Sequence, residues 1–274
     1  NARWTPITAP ADNPIDLLSR WPLHPESPPV AALVSGESDA PDARWSLFAQ
    51  VSQASVIYED TERTLRDILD ADRARNRKCL FQQRTGAEDV PPFSPGRIVA
   101  LSYECAQELE PAARHRPAKP TGDHPTAVAL RFDNALAHDR RTNTWWSLGL
   151  DTDANPWTPT LDRRPRPGSF RLGPLRSRVD RDRFVSMVDR AKGLIRAGDC
   201  YQVNLAHTLE AEFEGEPRAL LCSLLDIARP WHGAYLEFTD ANLERVSICS
   251  ASPELFLRYD PVTRRVVTRP MKGT

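Results

Sequence analysis

Short apolar runs separated by Pro, Gly and Asp set the rhythm of the first 150 residues. Runs of that length with those boundaries read as strands of a mostly antiparallel sheet, at 30–35, 45–51, 98–103, 126–132 and 144–150. The polar stretch 139–143 between the last two has the composition of a hairpin turn. One helix is expected from Thr61, where Leu65, Ile68, Leu69 and Asp72 recur at helical spacing.

Between 151 and 174 the periodicity stops. Pro156, Pro159, Pro165, Pro167 and Pro174 punctuate a stretch rich in arginine. Proline fixes φ and removes a backbone donor, so the stretch reads as a solvated connector. Beyond it, Ser177 or Asp180 caps a helix whose stripe is Phe184, Val188, Ala191 and Ile195, with Gly198 as its stop. Alternation of Tyr201, Val203, Leu205, His207 and Leu209 with polar residues predicts a strand with one apolar face. Pro217 stands where a helix start tolerates proline, and Leu220, Leu221, Leu224 and Leu225 give that helix a core side. Strands at 233–238 and 245–250 and a hairpin from 255–259 to 265–268 complete the pattern. Strands and helices mixed without βαβ alternation point to the α+β class, in two layers of mostly antiparallel sheet with flanking helices. Three regions are expected: an N-terminal region 1–150, a connector 151–175 and the first part of a catalytic domain, 176–274.

Composition narrows the partners. With 36 basic and 37 acidic side chains the net charge is −1, which leaves no global field to recruit nucleic acid or an anionic membrane. No apolar run approaches the roughly 20 residues of a membrane helix, and no signal-peptide pattern precedes them, so a cytoplasmic protein is expected. Five scattered cysteines without C-x-x-C or paired histidines argue for reduced thiols and against zinc. Asn1 in place of methionine, and an end one residue after Gly273, read as part of a longer polypeptide.

The familiar nucleotide, serine-hydrolase and zinc-peptidase motifs are absent. Polar residues at strand ends in the last 75 positions remain: Gln202, Asn204, Ser250, Ser252 and Glu254, then Lys272, Gly273 and Thr274. A carboxylate and an amine in one shielded pocket would perturb each other's pKa and could divide the roles of acid or base and nucleophile. Attack on carbon needs the amine neutral, which requires desolvation or a neighbouring cation to lower its pKa from about 10.4. Spacing alone favours reading Lys272 as a solvated charge on a hairpin turn.

Taken in order, AGDCYQVNLAHTLEAEF (197–213), ICSASPELFLRY (248–259) and VVTRPMKGT (266–274) resemble the chorismate-utilising enzymes, most closely the aminodeoxychorismate synthase component I group. Weaker similarity runs through GRIVALSYE (96–104) and ALVSGESDAPDARWSLFAQ (32–50). Anthranilate synthases usually carry P-I-A-G-T where the aminodeoxychorismate synthases carry P-I-K-G-T, and this chain has Pro270, Met271, Lys272, Gly273 and Thr274.

The resemblance implies that the Lys272 amine attacks C2 of chorismate and expels the C4 hydroxyl. Ammonia then attacks C4 and releases the lysine, giving 4-amino-4-deoxychorismate, a precursor of 4-aminobenzoate and folate. It further implies Glu254 as acid or base, Gly273 and Thr274 in substrate binding, and ammonia from a glutamine amidotransferase. Mg²⁺ is implied too, with its glutamate ligands expected beyond residue 274, so the 274-residue chain alone is expected to be inactive. Some relatives bind tryptophan through segments equivalent to Val34, Ser35 and Gly36 and to an N-P-x-P-Y stretch, which here reads ARPWH (228–232). Ser35 is the implied amino-acid-binding residue. The alternatives are anthranilate synthase component I and a non-catalytic binding module.

Overall fold

Long strands with both faces buried dominate the computed structural model. It describes residues 2–22, 27–36, 43–58, 64, 66–68, 70–71, 90–105, 125–150, 156–162, 168–260 and 263–270. The first part contains β1 (Ala2–Ile7), α1 (Pro14–Arg20), β2 (Val30–Val34), β3 (Trp45–Ile57), β4 (Gly96–Leu101), β5 (Ala127–Asp139) and β6 (Thr144–Leu150). After it come β7 (Phe170–Leu172), β8 (Arg176–Ser177), α2 (Arg181–Ala197), β9 (Leu209–Glu210), β10 (Phe213–Gly215) and α3 (Pro217–Ala228). The last elements are β11 (His232–Thr239), β12 (Arg245–Ser252), β13 (Leu255–Asp260) and β14 (Arg265–Arg269).

Eight strands form one antiparallel sheet in the order β1-β6-β5-β3-β2-β11-β12, with β4 paired to β5. The 13-residue β5 meets β3 along one side and divides its other side between β4 and β6. Register shifts at Gln50, Val51 and Gln53 bend β3, as an extra residue on one strand does. β11 pairs with β2, so the sheet draws strands from both sides of the 151–175 stretch.

Period-two alternation then sorts the core. Leu47, Ala49, Val128, Leu130, Leu236 and Phe238 gather on one face. Val30, Ala32, Phe48, Leu136 and Tyr235 gather on the other, under Leu17 and Leu18 of α1 and Leu221 and Leu225 of α3. The architecture is α+β, as expected, with a helical layer on the second face.

The two N-terminal elements absent from the sequence reading are short. α1 is defined by its cap: the Asn13 side chain accepts from the Ile15 and Asp16 amides, and Pro14 opens the helix. The expected strand over 201–209 is a correction, because only Leu209 and Glu210 are extended in a ladder, paired with β8. Its alternation has no sheet to face, and Tyr201, Val203 and Leu209 are exposed. β7 also falls inside the expected connector and pairs with β10. Of the helix expected from Thr61, residues 66–68 and 70–71 are helical with Ile68 buried, while Leu65, Leu69 and Asp72 lie outside the described residues.

Candidate functional site

Two hydrogen-bonding arrangements fix the end of β2, one against β3 and one against the turn after α3. The Ser35 amide donates to Ser46 Oγ at 3.0 Å and its hydroxyl to the Trp45 carbonyl at 2.7 Å, which fixes the serine against β3. One residue on, the Gly36 amide donates to the Pro230 carbonyl at 3.0 Å. A Cβ at position 36 would lie 2.1 Å from that oxygen, so only glycine permits the approach. α3 ends at Arg229 in the left-handed region, φ 41°, and this turn carries Pro230 back towards Gly36.

Between these segments lies a cavity of about 460 Å³ whose lining includes the apolar Val34, Ile15 and Leu225. Ser35, His138, Arg140, Arg229, Asp16 and Asp226 add polar and charged groups of both signs to that lining. A partly apolar lining with a few polar groups is the usual design of a small-molecule site. Arg140 also donates to the Gly36 carbonyl at 3.2 Å. Burial lowers the pKa of His138, although its bond to Asn143 and the nearby Asp139 favour the charged form; the ring is neutral at pH 7. Behind it, Asp139 is 1% exposed and accepts from Arg44 at 2.9 and 2.6 Å. Burial raises its pKa, but the Arg44 pair and the Arg141 and Thr142 bonds outweigh that and hold the carboxyl below its ordinary range.

The segments implied in amino-acid binding, 34–36 and 228–232, therefore meet at one cavity. Glu254 lies elsewhere: it follows β12, is half-buried, and is not among the cavity's lining residues. Among the described residues its carboxylate has no hydrogen bond or ion pair, while its carbonyl accepts from the Ser252 hydroxyl at 3.3 Å. Lys272, Gly273 and Thr274 lie outside the described residues. The hairpin between them is informative nonetheless, because Leu255 pairs with Arg269. Glu254 thus leaves β13 at the same end of the hairpin from which the chain leaves β14 towards Lys272.

A second constellation has no counterpart in the sequence reading. Arg218 and Glu237, 2% and 1% exposed, form a two-pronged ion pair with both contacts at 2.9 Å. Arg218 also donates to the Trp21 carbonyl at 2.5 Å, and Glu237 accepts from the Val30 amide at 3.2 Å and the Tyr235 hydroxyl at 2.5 Å. Burial works against the Glu237 charge, yet Arg218, Tyr235 and Arg245 hold its carboxyl below the usual range. Burial and the adjacent carboxylate push the Tyr235 phenol upward. The network clamps α3, β11 and the start of β2 together. Its sequence signal was positional: Arg218 shares the core face of α3 with Leu221 and Leu225, and Glu237 shares an inward face with Tyr235.

Burial raises the Cys249 thiol to about 11 and moves Cys222 in the same direction, so neither is a thiolate at neutral pH. Among the described residues no three His, Cys, Asp or Glu side chains gather into a metal-sized cluster. No helix among them is long and apolar enough to cross a membrane.

Comparison with known proteins adds a family. The model of the family described as chorismate binding enzyme matches residues 37–274. An aminodeoxychorismate synthase of Streptomyces griseus is 32% identical over 209 residues, 70% of this chain and 27% of that protein. Aminodeoxychorismate synthase component 1 of Escherichia coli is 26% identical over 262 residues, 88% of this chain and 54% of that protein. Anthranilate synthase component 1 of Thermus thermophilus is 39% identical over 110 residues, 39% of this chain and 22% of that protein. The chain spans at most about half the length of these relatives.

Proposed function

Because this chain belongs to the chorismate-binding enzyme family, we propose that it is part of an aminodeoxychorismate synthase component I that aminates chorismate with Lys272 as nucleophile. The observation that carries the reading is the β13–β14 hairpin. Pairing of Leu255 with Arg269 starts the segments of Glu254 and Lys272 from one end of one structural unit. A carboxylate and an amine in one pocket would suit covalent catalysis, in which an acid assists departure of a hydroxyl while the amine attacks. The balanced sequence is attack of the neutral Lys272 amine at C2, loss of the C4 hydroxyl as water after protonation, and attack of ammonia at C4 with return of the lysine. Glu254 is the acid or base of these steps. Similarity to two aminodeoxychorismate synthases over most of the chain, and the lysine in PMKGT, favour this reaction over anthranilate formation.

A glutamine amidotransferase supplies the ammonia in this reading. Mg²⁺ would hold the substrate carboxylate and neutralise its charge, with ligands from outside the described residues. The test is the product formed from chorismate, Mg²⁺ and ammonium by protein carrying the whole chorismate-binding domain. 4-Amino-4-deoxychorismate, lost in Lys272→Ala, supports the reading; anthranilate as the product, or unchanged turnover in Lys272→Ala, sinks it.

The cavity beside Ser35 takes an amino acid in a second, independent part of this proposal. Convergence of the 34–36 and 228–232 segments supports it, together with guanidinium and carboxylate groups in the lining able to meet a zwitterion.

A further inference from the structure

Three elements that line the Ser35 cavity have their other ends at the buried Arg218–Glu237 pair. α1 brings Asp16 to the cavity from its first turn, and past its last turn the Trp21 carbonyl accepts from Arg218 at 2.5 Å. α3 ends on Arg229 at the cavity and carries Arg218 in its first turn. β2 leads through Val34 into Ser35 at the cavity, and the Val30 amide at its start donates to Glu237 at 3.2 Å. Along each element the pair and the cavity are on the order of 10 Å apart, from a rise of about 1.5 Å per helical residue and about 3.4 Å per strand residue. Between them Leu17 and Leu18, Leu221 and Leu225, and Val30 and Ala32 pack into one buried cluster. An interior packed to that density passes a shift on rather than absorbing it.

We propose that Arg218 and Glu237 are positioning residues for the Ser35 cavity: by fixing the far ends of α1, α3 and β2 they set the spacing of its walls and its affinity for ligand. The proposal rests on the reading of that cavity as an amino-acid site and names the residues that tune it. Apolar packing has no direction and lets helices slide, whereas a two-pronged ion pair fixes both distance and angle. Here the two prongs are each 2.9 Å, and the Tyr235 hydroxyl holds Glu237 from a third direction at 2.5 Å. His138 and Arg140 line the cavity from the end of β5 and the turn after it, where Arg44 and Asp139 form a separate anchor at 2.9 and 2.6 Å. Loosening Glu237 therefore moves one set of walls against another that stays in place. Binding groups need to be held within about 0.5 Å of their productive positions, so a small shift at the pair is felt by the ligand.

The test is titration calorimetry with tryptophan as the probe, on protein carrying the whole chorismate-binding domain and at a temperature where circular dichroism shows each variant folded. Glu237→Gln removes the charge, Tyr235→Phe removes only the hydroxyl that holds Glu237, and Leu130→Ala opens the core on the opposite face of the sheet. Tryptophan should bind at least tenfold more weakly in Glu237→Gln and about threefold more weakly in Tyr235→Phe. Leu130→Ala, although destabilised, should bind as the parent does. Parental affinity in both Glu237→Gln and Tyr235→Phe would overturn the proposal, as would an equal loss in Leu130→Ala, and if Glu237→Gln does not fold Tyr235→Phe decides alone. Hydrogen exchange gives a readout without ligand. The Gly36 amide, bonded to the Pro230 carbonyl at 3.0 Å, should exchange at least threefold faster in Tyr235→Phe and at the parental rate in Leu130→Ala. A parent that does not bind tryptophan would sink the amino-acid reading and leave this exchange comparison to decide the positioning role; parental exchange at Gly36 in Tyr235→Phe would overturn that role.

Discussion

Arg218 and Glu237 are opposite charges buried beside the second core, and a pair so placed is costly to break from either side. Removing one partner strands the other without water, which costs about 3–5 kcal/mol for a buried pair. Arg218→Ala and Glu237→Gln should both lower stability by about that amount in urea titrations at neutral pH. The pH dependence has a defined sign. Glu237 has a folded pKa below its reference value of 4.5, so the folded state binds fewer protons than the unfolded one as pH falls. The stabilisation is complete above about pH 4.5 and is lost as pH falls through the folded pKa. Glu237→Gln should therefore show a shallower acid loss than the parent between pH 4.5 and pH 3, and parallel curves would contradict the assignment. Sequence reading missed this pair because Arg218 and Glu237 look like ordinary solvated charges when scored singly. Only their positions on faces shared with Leu221 and Tyr235 mark them.

At the scale of elements, β2, β6 and α3 were legible from apolar runs that their burial matches, whereas α2 and the β13–β14 hairpin were legible from their caps and turn residues although little of either is buried. β2, β6, α2, α3 and the β13–β14 hairpin fall within a few residues of expectation. The failure at 201–209 has the opposite cause, since alternation describes side chains and cannot supply a partner strand. α1 escaped notice because seven residues offer too little periodicity, although Asn13 and Pro14 are strong start signals. The Ser35 cavity was reached through resemblance, and its geometry adds Gly36 as the residue that sets the spacing of its two walls. Gly36→Ala would place a methyl group 2.1 Å from the Pro230 carbonyl and force β2 and the end of α3 apart. Titration calorimetry with tryptophan should show binding to the parent that weakens at least tenfold in Gly36→Ala, with a stability loss of about 1–3 kcal/mol. Undiminished tryptophan binding by the variant would remove the cavity from the proposal.

Across the whole molecule, the central strands of the large sheet are buried on both faces, whereas α2 and the β13–β14 hairpin bury little among the described residues. That asymmetry explains why the fold class was readable from the chain while the chemistry was readable only in outline. Described residues line the cavity at Ser35, whereas Glu254 is not among them and Lys272 lies outside the described residues. The most direct test of the central claim is the intact mass of protein carrying the whole chorismate-binding domain, after incubation with chorismate and Mg²⁺ without ammonia. The account predicts a gain equal to chorismate less one water, located on the peptide containing Lys272, discharged by ammonium and absent from Lys272→Ala. An unmodified protein that turns chorismate over with ammonium at the parental rate in Lys272→Ala would contradict it.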